Sequence, residues 1–389
     1  MSTLFLQSEV KNPYSFYQQM TAENPVYWDE THKIWALYSY SACVEILNHT
    51  AAHIPAFPAN DNFNTSAAKI IRNLARLSNG IQHEIAKETA VILFSFLKNV
   101  GIDTILEELL PKEVIQNPIN WVDLVCKKLP ILTVLKSFDF NEKDTHFICE
   151  KITQLVKIMQ PNKTAEAIES INTVSEEIYG ITERHIVKLP FYKALIDKIS
   201  ASYCISLEEA ISMGVSNLIG LFIQSYDAGR GLLSNSLLQI LSKENLPENK
   251  TEKGLIQKMV LETLRFDPPI QNTRRMATED IPLNKITIKK NDSILIVLAA
   301  ANRDPLQFIN AMNFDIERNN NHEHLTFGSG GHMCVAKHFS VHITTETLYY
   351  LFRNFNIVLS GNEITYEPLI NVRLPKAIWI SLYNLNQTL

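Results

Sequence analysis

The sequence predicts a mainly α-helical fold with a small β region, on three observations. From about Glu84 to Asn319 apolar residues recur chiefly at helical spacing, with breaks near Pro111, Pro161, Pro190 and Pro247. The stretch from Ser206 to about Lys243 reads as one helix of roughly 35 residues, about 50 Å long. Near the N-terminus, Val26-Tyr27-Trp28 and Ile34-Trp35-Ala36-Leu37 flank a polar turn, the pattern of a hairpin.

In chain order, a proline-marked opening leads into the hairpin, a small β element ahead of the helical body. At the head of the long helix, the Ser206 hydroxyl can cap while Glu209 reaches back to the Ser206 backbone. A helix of that length must cross the molecule with its middle buried. A second helix, from about Thr251 to Arg265, puts Leu255 with Met259, and Ile256 with Val260 and Leu264, on apolar faces, and Pro268-Pro269 ends it. Short strands follow around Ile286 to Ile288 and Ile294 to Leu298, then loops rich in Asn and Asp. Val335 to Tyr350 reads as a helix. No repeat, charge block or low-complexity linker marks a boundary, so residues 1–389 are expected to form a single domain.

Composition excludes several classes. Hydrophobic residues make up 46% and charged residues 20%, an ordinary globular balance. A net charge of −5 argues against nucleic-acid binding. The N-terminus lacks the basic start and long apolar stretch of a signal peptide, and the run Leu218 to Ile223 is far shorter than a membrane span. Five cysteines (Cys43, Cys126, Cys149, Cys204, Cys334) show no paired spacing, which points to a reducing, cytoplasmic setting rather than a disulfide framework. Without C-x-x-C or H-E-x-x-H, zinc is not expected.

The segment Phe327-Gly-Ser-Gly-Gly-His-Met-Cys334 carries the most chemical information. Gly328, Gly330 and Gly331 permit a tight turn with positive φ and a close approach of backbone to a flat partner. With a helix downstream, Cys334 lies at a helix N-terminus, where free N–H groups and the dipole favour thiolate over thiol. Such a thiolate suits a strongly donating iron ligand. Alone, a cysteine beside a glycine turn is more often plain core, and the other four cysteines take that reading.

The loop resembles the haem-binding segment of the cytochrome P450 family, F-G-x-G-x-H/R-x-C-x-G, through Phe327, Gly328, Gly330, His332 and Cys334, with Ala336 at the last glycine. Glu262-Thr-Leu-Arg265 is similar to the family's E-x-x-R helix and precedes the cysteine at a similar spacing; a carboxylate and a guanidinium one turn apart can pair and anchor loops. Asn313 stands where the family usually has arginine or histidine, with Arg318 nearby as a substitute. The resemblance implies a triangular, mostly helical fold around one buried haem b (iron protoporphyrin IX) with Cys334 on the iron. It also implies cationic donors for the propionates at Arg275, His332 and the pair His83 and Lys87, the last replacing arginine. Ala299 to Pro305 is a further match, read as structural.

The long helix of the family usually carries A/G-G-x-D/E-T for proton delivery. Here the segment is Gln224-Ser225-Tyr226-Asp227-Ala228-Gly229-Arg230, so the acid is kept as Asp227 and Ala228 replaces the alcohol. Three courses stay open: monooxygenation with protons relayed through Asp227, Ser225, water or a substrate hydroxyl; radical coupling; and direct use of peroxide. A rival of another class is a haem-binding protein without oxygen activation. An ion pair between Asp227 and Arg230 is the plain structural alternative for those two residues.

The resemblance places substrate contacts at Ile54, Phe57 and Phe63, at Leu221, Phe222 and Tyr226, at Ile270, Gln271 and Asn272, and at Val372. That lining is mostly apolar with a few amides. The resemblance thus implies a monooxygenase hydroxylating a small, mostly apolar molecule, with electrons from a separate ferredoxin or flavodoxin and its reductase. Lys337 and His338 are candidates for the docking face.

Overall fold

The computed structural model describes residues 2–56, 62–111, 117–160, 163–243, 246–247, 250–361 and 363–385. In chain order the helices are α1 (Tyr14–Glu23), α2 (Tyr40–Asn48), α3 (Thr65–Asn73), α4 (Gly80–Ser95), α5 (Ile102–Leu109), α6 (Leu129–Ser137), α7 (Glu142–Leu155), α8 (Ala165–Ile186), α9 (Tyr192–Tyr203), α10 (Leu207–Ser242), α11 (Lys253–Phe266), α12 (Leu298–Ala301) and α13 (Lys337–Asn354). The strands are β1 (Val26–Asp29), β2 (Ile34–Leu37), β3 (Ala52–His53), β4 (Ile119–Asn120), β5 (Thr273–Ala277), β6 (Ile281–Leu283), β7 (Ile286–Ile288), β8 (Ser293–Ile296), β9 (Phe355–Leu359) and β10 (Trp379–Asn384). The chain divides into two compact units. The first contains Met1–His53, Ile102–Lys127 and Asp227–Leu389, and the second contains Ile54–Gly101 and Lys128–Tyr226.

All described strands fall in the first unit. Its five-stranded sheet has the order β1-β2-β8-β5-β3. The hairpin expected from sequence is there: β1 and β2 pair antiparallel with Val26 opposite Leu37 and Asp29 opposite Ile34. Strand alternation then sorts the side chains. Leu37, Ile294 and Ile296 join Cys43 and Ile46 of α2 in one core cluster. Ile34, Ala36 and Leu295 join Tyr14 and Tyr17 of α1 in another. The sheet is therefore buried on both faces, which explains why β8 reads as a continuous apolar run. That strand is shorter than the sequence suggested, because Val297 leaves the ladder and Leu298–Ala301 turns as a helix.

Helix α10 starts as its sequence predicts. The Glu209 N–H donates to Ser206 Oγ at 3.2 Å, and the Ser206 N–H donates to Glu209 Oε2 at 3.1 Å, a reciprocal capping box. In the second unit its apolar face meets α3, α8 and the turn after α6. Asn73 donates to Ser212 Oγ at 3.0 Å, and Phe222 packs edge-on against Phe140. Phe140 in turn stacks on His185, whose Nε2 donates to the Phe138 carbonyl. No single helix among the described residues is long and apolar enough to cross a membrane.

Candidate active site

The Phe327–Cys334 loop turns on two glycines with positive φ, Gly328 at +73° and Gly330 at +68°. Side chains rarely adopt that conformation, and at Gly330 there is no room for one. An added Cβ would lie 2.7 Å from Asn48 Oδ1 and 3.0 Å from the Leu47 carbonyl. The loop is tied by its own backbone: the Cys334 N–H donates to the Phe327 carbonyl at 2.9 Å and the Gly328 N–H to the Leu325 carbonyl at 2.7 Å. It is tied outward by Asn48, at the end of α2, which donates to Ser329 Oγ at 3.1 Å. Cys334 is exposed on this turn, whereas burial pushes the thiols of Cys43, Cys126 and Cys149 up. Helix α13 begins at Lys337 rather than Val335, so Val335 and Ala336 form a turn between the cysteine and the helix. Ala336 has φ −88°, an ordinary value for an L residue, so alanine in place of glycine brings no backbone strain there.

Beneath the loop lies a buried polar network. Arg265 forks onto Glu262, Nε to Oε2 at 3.0 Å and Nη2 to Oε1 at 2.6 Å, with both side chains fully buried. The remaining guanidinium N–H groups donate to the carbonyls of Asn302, Ala311 and Asn313. Glu262 Oε1 also accepts from the Asp315 N–H at 3.0 Å, and Arg318 Nε stands 3.5 Å away. Arg318 thus supplies the second cation, while Asn313 contributes only its backbone. Asn302 carries the network to the loop: its Oδ1 accepts from the Leu325 N–H and its Nδ2 donates to Thr326 Oγ1, which donates to the Leu264 carbonyl. The sequence placed Asn302 in a structural match without showing this link. A buried His324 stands beside Phe327; burial lowers its imidazole from 6.5 to about 3. Its role was not visible in the sequence.

Arg275 lies on β5, 4% exposed. It donates to Thr273 Oγ1 and to the Arg274 carbonyl, and among the described residues no carboxylate comes within ion-pair distance. Burial pulls its guanidinium down to about 10. A buried cation without a counter-anion is costly, so this residue fits an acidic group such as a haem propionate. The chemistry of the donor set, an exposed cysteine on a glycine turn and a buried arginine with no carboxylate partner among the described residues, therefore fits haem b. His332 closes the 3-10 turn Gly330–His332 in the same loop. In the second unit His83 and Lys87 stand one turn apart on α4, and His83 Nδ1 donates to the Ala75 carbonyl at 2.8 Å.

The central stretch of α10 is held differently. Ser225 turns its hydroxyl back to the Phe222 carbonyl at 3.0 Å. Asp227 pairs with Arg230 at 3.0 Å, and buried Arg230 also approaches Glu367 Oε1 at 3.7 Å. Ala228 follows Asp227 within the helix and carries no proton donor. Leu221 and Tyr226 are buried in the second unit. In the first unit Ile270 bridges to Val372, and Asn272 donates to the Ile370 carbonyl at 3.0 Å. Gln271 points the other way: fully buried, it donates to Tyr14 Oη and the Pro268 carbonyl. Phe57 lies outside the described residues.

The family model described as Cytochrome P450 matches residues 251–376. The biotin biosynthesis cytochrome P450 of Bacillus subtilis (strain 168) is 25% identical over 94% of this chain and 94% of its own. Cytochrome P450 119 of Sulfurisphaera tokodaii is 25% identical over 83% of this chain and 87% of its own. Among solved structures, P450BioI in complex with hexadec-9Z-enoic acid ligated acyl carrier protein superposes with a TM-score of 0.82, at 24% identity, over 97% of this chain and 99% of that one. CalO2 superposes with a TM-score of 0.83, at 18% identity, over 96% of each chain.

Proposed function

We propose, from the premise that this chain belongs to the cytochrome P450 family of haem b monooxygenases, that Cys334 would ligate the haem iron and that the protein hydroxylates an apolar small molecule. The observation that carries the reading is the cysteine turn itself, with its positive-φ glycines and its tie through Thr326 and Asn302 to the buried Glu262–Arg265 pair. When bound, the haem supplies the iron at which dioxygen is activated, the thiolate donating charge that favours O–O cleavage. Arg275 and His332 of the first unit would hold the propionates, and Phe327, Gly328 and Gly330 shape the loop that carries the ligand.

In this reading protons are relayed through Asp227, whose carboxylate Arg230 orients. Ser225 is the nearest hydroxyl in sequence, and it must leave its bond to the Phe222 carbonyl to take part. In the first unit Ile270, Asn272 and Val372 are assigned to the walls that exclude water, and Gln271 supports them from the core side. An apolar lining suits an alkyl or acyl chain, and the fatty-acyl ligand carried by the P450BioI complex makes a C16 fatty acid, free or bound to an acyl carrier protein, the first probe. Electrons would come from a ferredoxin or flavodoxin with its reductase, in the cytoplasm, with Lys337 and His338 on the docking face.

The test is turnover with a surrogate ferredoxin system and, separately, with hydrogen peroxide, on a compound first found by its spectral shift. Oxygen inserted from dioxygen under ferredoxin supply supports hydroxylation. Product from peroxide alone, or a coupled dimer, supports one of the other oxidative courses. Tight binding of haem and ligand with no product in either assay returns the protein to the class of haem-binding modules.

A further inference from the structure

We infer that Arg373 is a positioning residue that sets the place of Ile270 and Val372, and through them the protein's discrimination among ligands; this rests on the assignment of that pair to the substrate walls. Side chains alternate along an extended segment, so Arg373 and Val372 face opposite ways. Residues 269–271 and 371–373 zip together. The Arg373 N–H donates to the Pro269 carbonyl at 2.8 Å, the Gln271 N–H donates to the Asn371 carbonyl at 2.9 Å, and Ile270 bridges Val372 between them.

The Arg373 side chain, which is 4% exposed, anchors this strap. Its guanidinium lies 3.5 Å from the centroid of the Tyr366 ring and donates through Nη2 to the Lys11 carbonyl at 2.9 Å. Nη1 reaches Gln7 Oε1 and the Val10 carbonyl at 3.5 Å. Nε stands 3.7 Å from Asp267 Oδ1, close enough for attraction though not for a hydrogen bond. Asp267 closes α11 and also accepts from Tyr14 and Gln239. From α10, Asn235 donates to the carbonyls of both Asp267 and Arg373. One turn earlier Gly231 lets the helix approach so closely that an added Cβ would meet Leu374 and Pro269 at 2.5 Å. One planar cation therefore fixes the strap against the N-terminal segment and the end of α11. A lysine cannot fork and stack at once.

The test compares the dissociation constants of 4-phenylimidazole and imidazole for the haem-loaded protein, read from the absorption shift. Imidazole reports access to iron, and the added phenyl ring reports the walls, so their ratio isolates the walls. Ile270→Ala and Val372→Ala should change the ratio, and Arg373→Gln should change it about tenfold, the scale of a lost charge-assisted bond, while the reduced carbon monoxide band stays that of a thiolate. Should Arg373→Gln not load haem, Tyr366→Leu removes the stacking surface more gently and should change the ratio in the same direction. If Ile270→Ala and Val372→Ala leave the ratio untouched, the wall assignment falls. If they move it while Arg373→Gln and Tyr366→Leu do not, the role given to Arg373 falls alone.

Discussion

The cysteine turn and the middle of α10, the two regions assigned to the proposed chemistry, are built on opposite terms. Around the turn, backbone geometry constrains residue type: positive φ favours glycine at 328 and 330, position 330 has no room for a Cβ, and the buried fork pairs Glu262 with Arg265. At position 228 the backbone of α10 is plain helix, which either alanine or an alcohol adopts. Backbone geometry thus constrains residue type around the cysteine turn, and it does not do so at position 228. Even Ala336, two residues after Cys334, sits where φ is ordinary.

If that contrast is right, the largest effect should come from the buried network. Glu262→Gln leaves a buried guanidinium half-paired and should cost about 3–5 kcal/mol, visible as a drop in melting temperature and loss of haem loading. On the other side, Asp227→Asn should cost less stability than Glu262→Gln, since Glu367 still faces Arg230, yet lower kcat roughly a hundredfold, and Ala228→Thr should raise the fraction of reducing equivalents recovered as product. Unchanged turnover in Asp227→Asn would move proton delivery away from α10.

A smaller effect lies in acid stability. His324 is held neutral by burial, its folded value near 3 against 6.5 when free. The unfolded chain therefore binds more protons between those values, and stability falls as pH drops from about 6.5 toward 3. His324→Phe should flatten urea-unfolding midpoints across that window; equal slopes in both proteins would remove His324 from the account. The smallest effect is expected at Ala336→Gly, about 0.5–1 kcal/mol of destabilisation from added chain freedom, with the haem spectrum unchanged.

What could be read from the sequence follows the same division. The cysteine turn, the E-x-x-R pair and the Ser206–Glu209 cap are short-range arrangements whose partners lie within a few residues, so spacing alone reveals them. The hairpin was legible for the same reason. Long-range contacts were not. That Arg318 rather than Asn313 brings its side chain to Glu262 depends on how the loop after α12 folds back. Gln271 was placed beside Ile270 and Asn272 by sequence neighbourhood, but alternation turns its amide toward Tyr14. Asn48, His324 and Arg373 act on residues distant in the chain, and no local pattern marks them.

The most direct test of the central claim is the reduced carbon monoxide difference spectrum of haem-loaded wild type beside Cys334→Ala, with Cys204→Ala as the control for an exposed thiol. The account predicts the long-wavelength Soret band of thiolate-ligated haem in wild type and Cys204→Ala, and its complete loss in Cys334→Ala. Persistence of that band without Cys334 would show that another residue ligates the iron.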